Sequence, residues 1–352
     1  VKFDNNLFTS GECTDCNPGI PKENKAGNRY ELQVRGSNRV RKTGTTIDVM
    51  NVSVSGNNYC GVEAITTVEG GNLTFENNTI TGGAIVAGKA ANKYEVNYRR
   101  GSKVGKTTAS DDTLTANVKN NHFCSVDVLI ASEDVDMNFE NNTATSGTAF
   151  AKATNKYELQ FRRSSRFNKS ESDSMFYASM KDNSFDGYDV TVNDTDVALV
   201  MTGNTFNNAT PVFNKAGNKY EVSVRRGQRF SKTAFSEIQL VLEMTDNDFS
   251  GGDVVFNVDD FVSTIENNTF NASSATNKAA NKYEVNFRRG SKIGKTSSSV
   301  ATVEDMFTYN NNSVIGYDVA ISIDDSSDVA SSVTMDGNSF DGIAPVSSKF
   351  PA

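Results

Sequence analysis

The stretch that decides the fold is Asn281-Lys-Tyr-Glu-Val-Asn-Phe-Arg-Arg-Gly-Ser-Lys-Ile-Gly-Lys-Thr296. Close copies of it start at Asn28, Asn92, Asn155 and Asn218, and their central tyrosines are separated by 64, 63, 63 and 63 residues. A fixed period of this size is typical of a repeat protein whose units stack into one continuous body. We therefore expect a single solenoid over residues 1–352, with a partial repeat at 1–27 and repeats at 28–91, 92–154, 155–217, 218–280 and 281–352.

The copies have the alternation of a β-strand. In the second copy Tyr94, Val96 and Tyr98 alternate with polar residues, which predicts one apolar face. Asparagine and glycine punctuate the chain every few residues, and no apolar run has helical spacing. The sequence therefore predicts an all-β protein made of short strands and tight turns.

A second pattern, asparagine followed by an aromatic residue, divides the repeat further. Asn57, Asn121, Asn183 and Asn247 each precede a matching asparagine by 21 residues. Taking the basic stretch as one more coil, we expect a single-stranded parallel β-helix of about 21 residues per coil, with three coils in each 63-residue repeat. About 17 such coils would make a rod of roughly 80 Å, since parallel strands lie about 4.8 Å apart.

The coil pattern resembles known repeat families. Phe75-Glu76-Asn77-Asn78 followed by Gly82-Gly83-Ala84-Ile85 resembles the repeats of bacterial polymorphic outer membrane proteins. The asparagine–aromatic coils are similar to those of right-handed, pectin-lyase-like β-helices. The resemblance implies a surface-exposed solenoid, and it carries over no catalytic residue.

Charge is distributed with the same period. The net charge is −8, yet nearly all lysines and arginines fall in the five basic stretches; only Lys2, Lys119, Lys181 and Lys349 lie elsewhere. Acidic residues lie mostly between these stretches, so we expect no nucleic-acid binding. The basic residues predict a flank whose cations recur every third coil, about 14 Å apart. It comprises Arg99, Arg100, Lys103, Lys106, Arg162, Arg163, Arg166, Lys169, Arg225, Arg226, Arg229, Lys232, Arg288, Arg289, Lys292 and Lys295.

Two readings of the basic flank stay open. In one it is an ordinary solvated surface with local ion pairs, which contribute little. In the other it binds a partner of matching period: an acidic surface of a neighbouring rod, or an anionic polysaccharide.

The cysteines and the histidine do not predict a metal site. Cys13 and Cys16 are spaced for a local disulfide or half of a zinc site, but no second pair exists and His122 is distant. Cys60 and Cys124 occupy matching places one repeat apart, too far for a mutual disulfide, and we expect them to be thiols.

Catalytic and cofactor sites are not expected. The acidic pairs Asp111-Asp112, Asp259-Asp260 and Asp324-Asp325 suggest polysaccharide cleavage, but a catalytic pair needs one singular constellation, and these acids recur with the repeat. Gly101 to Thr107 departs from the phosphate-loop spacing, so no nucleotide cofactor is predicted.

Other features favour an extracellular location. No apolar run reaches the 18 or so residues of a membrane span. The chain lacks an initiator methionine, as expected of a mature form or an excerpt of a longer array. Possible glycosylation sites, chosen from a larger set of Asn-X-Ser/Thr sequons, are Asn51, Asn72, Asn168, Asn193, Asn208 and Asn271.

The sequence supports three functional hypotheses. The first is a non-enzymatic extracellular or cell-surface structural protein, in which solenoid rods build a fibre, sheath or appendage by stacking and charge-matched contacts with copies of themselves or other solenoid subunits. The second is an adhesin or binding module that holds acidic polysaccharide on the basic flank. The third is a polysaccharide lyase or hydrolase.

Overall fold

The computed structural model of the chain describes residues 1–9, 13–14, 17–18, 30–35, 50–67, 71–82, 94–99, 114–131, 135–146, 157–162, 176–193, 197–207, 221–225, 240–258, 261–272, 283–289, 306–322 and 332–341. These residues form β-strands and the turns between them, arranged as three long parallel sheets and one short antiparallel pair, Cys13–Thr14 with Asn17–Pro18. The fold is a parallel β-helix, as predicted.

Each sheet stacks its strands in chain order. The first sheet contains 11 strands: Lys2–Asp4, Met50–Ser55, Gly71–Glu76, Leu114–Lys119, Val135–Glu140, Phe176–Lys181, Val197–Thr202, Leu240–Thr245, Phe261–Glu266, Met306–Asn310 and Ser332–Asp336. The second sheet contains 11 short strands: Leu7–Thr9, Asn58–Cys60, Thr79–Thr81, His122–Cys124, Thr143–Thr145, Ser184–Asp186, Thr205–Asn207, Asp248–Ser250, Thr269–Asn271, Ser313–Ile315 and Ser339–Asp341. The third sheet contains 10 strands: Tyr30–Arg35, Val62–Thr67, Tyr94–Arg99, Val126–Ala131, Tyr157–Arg162, Tyr188–Asn193, Glu221–Arg225, Asp253–Val258, Tyr283–Arg289 and Tyr317–Ser322.

One coil visits the three sheets in turn, and each 63-residue repeat contains two coils. Between Asn57 and Asn312, successive corner asparagines on adjacent coils are separated by 21 residues, as between Asn121 and Asn142, or by 41 to 44, as between Asn142 and Asn183. The two end steps, to Asn6 and to Asn338, are 51 and 26 residues long. The prediction of three coils per repeat was therefore wrong. In the described part of the chain, the basic stretch contributes a third-sheet strand, and the next described strand already belongs to the first sheet. The described coils span about 50 Å rather than 80 Å.

Strand alternation fills the core with one aromatic stack. Rings 4.7 to 6.5 Å apart run from coil to coil through Phe8, Tyr59, Phe75, Phe123, Phe139, Phe185, Phe206, Phe249, Phe270 and Tyr309. Most of these rings lie at the centre of a second-sheet strand. Where that position is Ile80, Ala144 or Val314, the first-sheet strand of the same coil supplies the ring instead.

A ladder of asparagines, buried except at its two ends, joins the coils at the corner between the first and second sheets. Asn121 is typical: its backbone N–H and its Nδ2 donate to Oδ1 of Asn142, at 3.0 and 2.9 Å, and Nδ2 also donates to the Phe75 carbonyl at 2.8 Å. The ladder consists of Asn6, Asn57, Asn78, Asn121, Asn142, Asn183, Asn204, Asn247, Asn268, Asn312 and Asn338. Since a buried amide without partners is costly, the ladder fixes the register in which neighbouring coils stack.

The residue before each ladder asparagine turns the corner in the left-handed conformation. Asn141 has a φ of 53° there, and Gly203 has a φ of 66°. Asparagine, aspartate and glycine occupy this position because they tolerate positive φ. Among the described residues there is no helix, and so none of the length and hydropathy needed to cross a bilayer.

Candidate interaction surfaces

Part of the predicted basic flank forms one column of the third sheet. Arg99, Arg162, Arg225 and Arg288 share a register position, separated by Ala131, Asn193 and Asn257. The structure describes the backbone of these arginines and of Arg289, but not their side chains. The other members lie outside the described residues: Arg100, Lys103, Lys106, Arg163, Arg166, Lys169, Arg226, Arg229, Lys232, Lys292 and Lys295.

The arginine column recurs more closely than expected. Because a repeat holds two coils, the arginines stand about 9.6 Å apart along the rod, not 14 Å. The basic flank as a binding surface stays a prediction.

A column of acids runs beside the arginine column, four residues earlier in each strand. The paired residues are Glu31 with Glu63, Glu95 with Asp127, Glu158 with Asp189, Glu221 with Asp253, and Glu284 with Asp318. Every coil of the third sheet therefore carries a carboxylate at this position, roughly 13 Å from the arginine position. One of them, Asp127, accepts the backbone N–H of Glu158 at 3.0 Å. The sequence predicted acids between the cations along the rod, whereas the register gives the acids a column of their own.

The outer face of the third sheet is not exposed to solvent along its whole length. Asp189, Ser223 and Val255 fall on the outward alternation, yet they are only 7 %, 3 % and 7 % exposed. This burial limits how much of the face a large partner can contact.

The outer face of the first sheet carries a column of alternating charge. Glu76, Lys119, Glu140 and Lys181 are consecutive in register. Lys119 Nζ lies 2.8 Å from Glu140 Oε2, and this hydrogen bond holds the pKa of Glu140 below its usual value. The column continues through Thr202, Thr245, Glu266, Asn310 and Asp336. Asn310 Nδ2 donates to Glu266 Oε1 at 3.2 Å.

An apolar patch occupies the same face. It consists of Tyr177, Ala198, Val200, Val241 and Val262, which we call the apolar patch. Tyr177, Val200 and Val241 are 52 %, 37 % and 44 % exposed. Four of the five form one register column over consecutive coils. Sequence reasoning missed this patch, because it becomes visible only when the first-sheet strands are aligned by their asparagines.

The sequons fall into three groups. Asn51 and Asn72 are exposed on the first sheet, where Asn72 Nδ2 donates to Asn51 Oδ1 at 2.9 Å. Asn271 is half-buried at the end of a second-sheet strand, and only the backbone of Asn193 is described. Asn168 and Asn208 lie outside the described residues. The remaining described sequons, which were not chosen as candidates, occupy exposed left-handed corners: Asn77, Asn141, Asn267 and Asn311.

The cysteines differ from the prediction. Cys60 and Cys124, expected to be thiols, are both disulfide-bonded. They do not bond to each other, because Thr81 lies between them in the second sheet and two coils separate their Cα atoms by roughly 9.6 Å. Cys13 and Cys16, for which the sequence predicts a local disulfide, are the other cysteines of the chain, and their side chains are outside the described residues.

The carboxylates weighed as catalytic candidates, Asp111-Asp112, Asp259-Asp260 and Asp324-Asp325, also lie outside the described residues. No protein-family model, curated protein or solved structure matches the chain.

Proposed function

We propose that the protein is a non-enzymatic extracellular or cell-surface structural protein, whose solenoid rods assemble into a fibre, sheath or appendage. The observation that supports this most is the uniformity of the rod. The same ladder, aromatic stack and three sheets recur from coil to coil over 11 first-sheet strands. Such a body presents regularly spaced side chains over a long surface, which suits a self-similar partner.

The sheet edges support assembly by stacking. Among the described residues, the strands Lys2–Asp4 and Ser332–Asp336 each pair on one side only. A strand of this kind accepts another strand in register. The resemblance to pectin-lyase-like β-helices and to polymorphic outer membrane protein repeats belongs to the same proposal, because it implies a solenoid displayed at a surface.

Electron microscopy of the purified protein tests this function. We expect filaments or ordered bundles that grow with protein concentration and respond to salt. Dispersed single rods at every concentration and ionic strength would overturn the proposal.

A second candidate is an adhesin for acidic polysaccharide, favoured by the arginine column with its spacing of about 9.6 Å. It predicts retention on an acidic-glycan column that is lost when Arg225 and Arg288 are replaced by serine. Replacing the exposed second-sheet residues Ser184 and Thr205 by alanine is the matched control. Equal retention of all variants would exclude this function.

A further inference from the structure

The first sheet carries two features on one face that have to be explained together. The apolar patch covers four consecutive coils, those of the strands Phe176–Lys181, Val197–Thr202, Leu240–Thr245 and Phe261–Glu266. The outward column at the other edge of these strands begins with a cation, Lys181, and ends with an anion, Glu266. The two charges lie three coils apart, roughly 14 Å, so they do not pair within one chain.

A twofold axis parallel to the strands, placed between Val197–Thr202 and Leu240–Thr245, makes this face complementary to itself. It brings Tyr177 opposite Val262 of a second copy, and Ala198 opposite Val241. It also brings Lys181 opposite Glu266, at both ends of the patch. In an isologous contact each pair of residues occurs twice, so every favourable pair contributes twice to the stability of the dimer.

Other arrangements of the same face are less favourable. A twofold axis parallel to the rod would place the apolar column against the charged column, with Tyr177 facing Lys181. Shifting the antiparallel axis by half a coil towards the first strand would set Glu266 against Glu140 and leave Lys181 opposite Thr245. The central position joins the four residues of the apolar column to one another and Lys181 to Glu266, although it also sets Val200 against Glu243 and Met306 against Asp136.

Features around the patch fit the same axis. Lys119 falls opposite Asp336, a second pair of opposite charge nearer the rim. The exposed sequon residues Asn51 and Asn72 lie outside the overlap of the described coils, whereas the exposed sequon corners Asn141, Asn267 and Asn311 border it. Sheets packed face to face lie about 10 Å apart, close enough for these side chains to meet.

We propose that the outer face of the first sheet is an interface between two copies of this chain, packed antiparallel about this axis. The inference rests on the proposed function, because it specifies the lateral contact of an assembling rod. Lys181 is exposed, and its Nζ lies 3.9 Å from Asp182, a weak contact that a closer partner replaces.

Charge reversal tests the pairing. Lys181→Glu alone and Glu266→Lys alone each place like charges opposite one another, and each should weaken dimerisation at least about tenfold in sedimentation equilibrium. The double variant restores opposite charges between copies and should return the dissociation constant to within about threefold of the wild type. Ser184→Glu, in the same coil as Lys181 but on the second sheet, is the control and should leave dimerisation unchanged. A double variant as weak as the single ones would overturn the pairing.

Glu243 gives an independent test. It lies in the middle column and falls opposite Val200 of the second copy, so its charge has no opposite partner in the interface. Glu243→Thr, which copies Thr264 and Thr308 in the same column, should strengthen dimerisation several-fold. Weaker or unchanged association would contradict the axis.

Directed cross-linking tests the orientation. Cys60 and Cys124 are both disulfide-bonded, and the described part of the chain has no free cysteine, so introduced thiols react with each other. A mixture of Tyr177→Cys and Val262→Cys chains should form a disulfide-linked heterodimer under mild oxidation, while either variant alone should not. Homodimers of each variant, with no heterodimer, would overturn the proposal.

Microscopy of the same samples separates the two proposals. If filaments or bundles persist in the single charge variants and no heterodimer forms, this interface is wrong while the structural function stands. If no assembly of any kind is observed for the wild type, both are wrong.

Discussion

The buried asparagines illustrate how much depends on single residues. Asn204 Oδ1 accepts from the backbone N–H and Nδ2 of Asn183, and its own Nδ2 donates to Asn247 Oδ1 and to the Met180 carbonyl. We predict that Asn204→Ala lowers the free energy of unfolding by about 3 kcal/mol or more, because several buried groups lose their partners. Urea denaturation followed by circular dichroism measures this.

The control for this variant lies in the same coil. Asn207 is exposed at the end of the second-sheet strand. Asn207→Ala should change the free energy of unfolding by no more than about 0.5 kcal/mol. Similar losses for both variants would show that the ladder is not what joins the coils.

The single histidine predicts a pH dependence. Burial lowers the pKa of His122 below its usual value, and its Nδ1 lies 2.6 Å from Thr143 Oγ1. The unfolded state therefore binds a proton at higher pH than the folded state, so the free energy of unfolding should fall as pH drops below about 6.5. The fall should level off below the lowered pKa.

His122→Gln should remove this contribution. The difference in free energy of unfolding between wild type and variant, measured from pH 7.5 to 5, isolates the histidine from the carboxylates that titrate nearby. A difference that does not vary with pH would contradict the prediction.

For single residues, the sequence predicted some structural roles and missed others. It predicted an asparagine column at the turn, because the residue type recurs at fixed spacing and its amide can bond to the next coil. It did not predict the disulfides of Cys60 and Cys124, because a disulfide depends on where a partner cysteine lies in three dimensions. Because the cysteine position recurs in only two repeats, the sequence predicted thiols there instead of a disulfide.

In each coil, the stacked aromatic ring comes from either the first-sheet strand or the second-sheet strand. In the coil that begins at Val135, Phe139 of the first sheet packs between Phe123 and Phe185, and Ala144 takes the usual ring position. Phe139→Val should cost about 3 kcal/mol by leaving a cavity, and Ala144→Phe about 1–3 kcal/mol by overpacking.

The double variant Phe139→Val, Ala144→Phe copies the preceding coil, where Val118 and Phe123 occupy the same positions. It should recover most of the stability, to within about 1 kcal/mol of the wild type. Thermal unfolding of the four proteins completes the cycle. Additive losses in the double variant would mean that the two positions do not share one ring site.

The number of coils per repeat could not be predicted correctly from the sequence, although the strands themselves could. The alternation in Tyr94 to Arg99 correctly predicted a strand. Its likeness to Met137–Glu140 suggested a coil of its own, but a six-residue alternation is compatible with either sheet. The distinction lay in the sequence after the strand: a first-sheet strand leads into the corner asparagine, such as Asn142, whereas the basic stretch has Gly101 at the matching place.

For the whole molecule, the two-coil repeat makes a prediction about length. Deleting residues 135–196 removes one long and one short coil and brings Phe123 next to Phe206 and Asn121 next to Asn204. The shortened chain should fold, and its rod should be about 9.6 Å shorter. Small-angle scattering measures the change; a shortening of about 14 Å would instead support three coils per repeat.

The interaction surfaces were the least predictable part of the molecule. The sequence marked the basic flank because its charges are consecutive in the chain. The apolar patch and the acidic column consist of residues tens of positions apart, and only the register of neighbouring coils places them side by side. Long coils also vary in length, so counting residues alone does not align Tyr177 with Val241.

The asparagine ladder gives the rod a net side-chain dipole along its axis. From Asn6 to Asn312, each member donates a hydrogen bond from Nδ2 to Oδ1 of the ladder asparagine in the next coil, so these side-chain amide dipoles share one direction along the axis instead of cancelling. The rod therefore has an electric direction as well as a chain direction. Two such rods lying side by side attract when they run in opposite directions and repel when they run in the same direction, an influence that added salt would weaken.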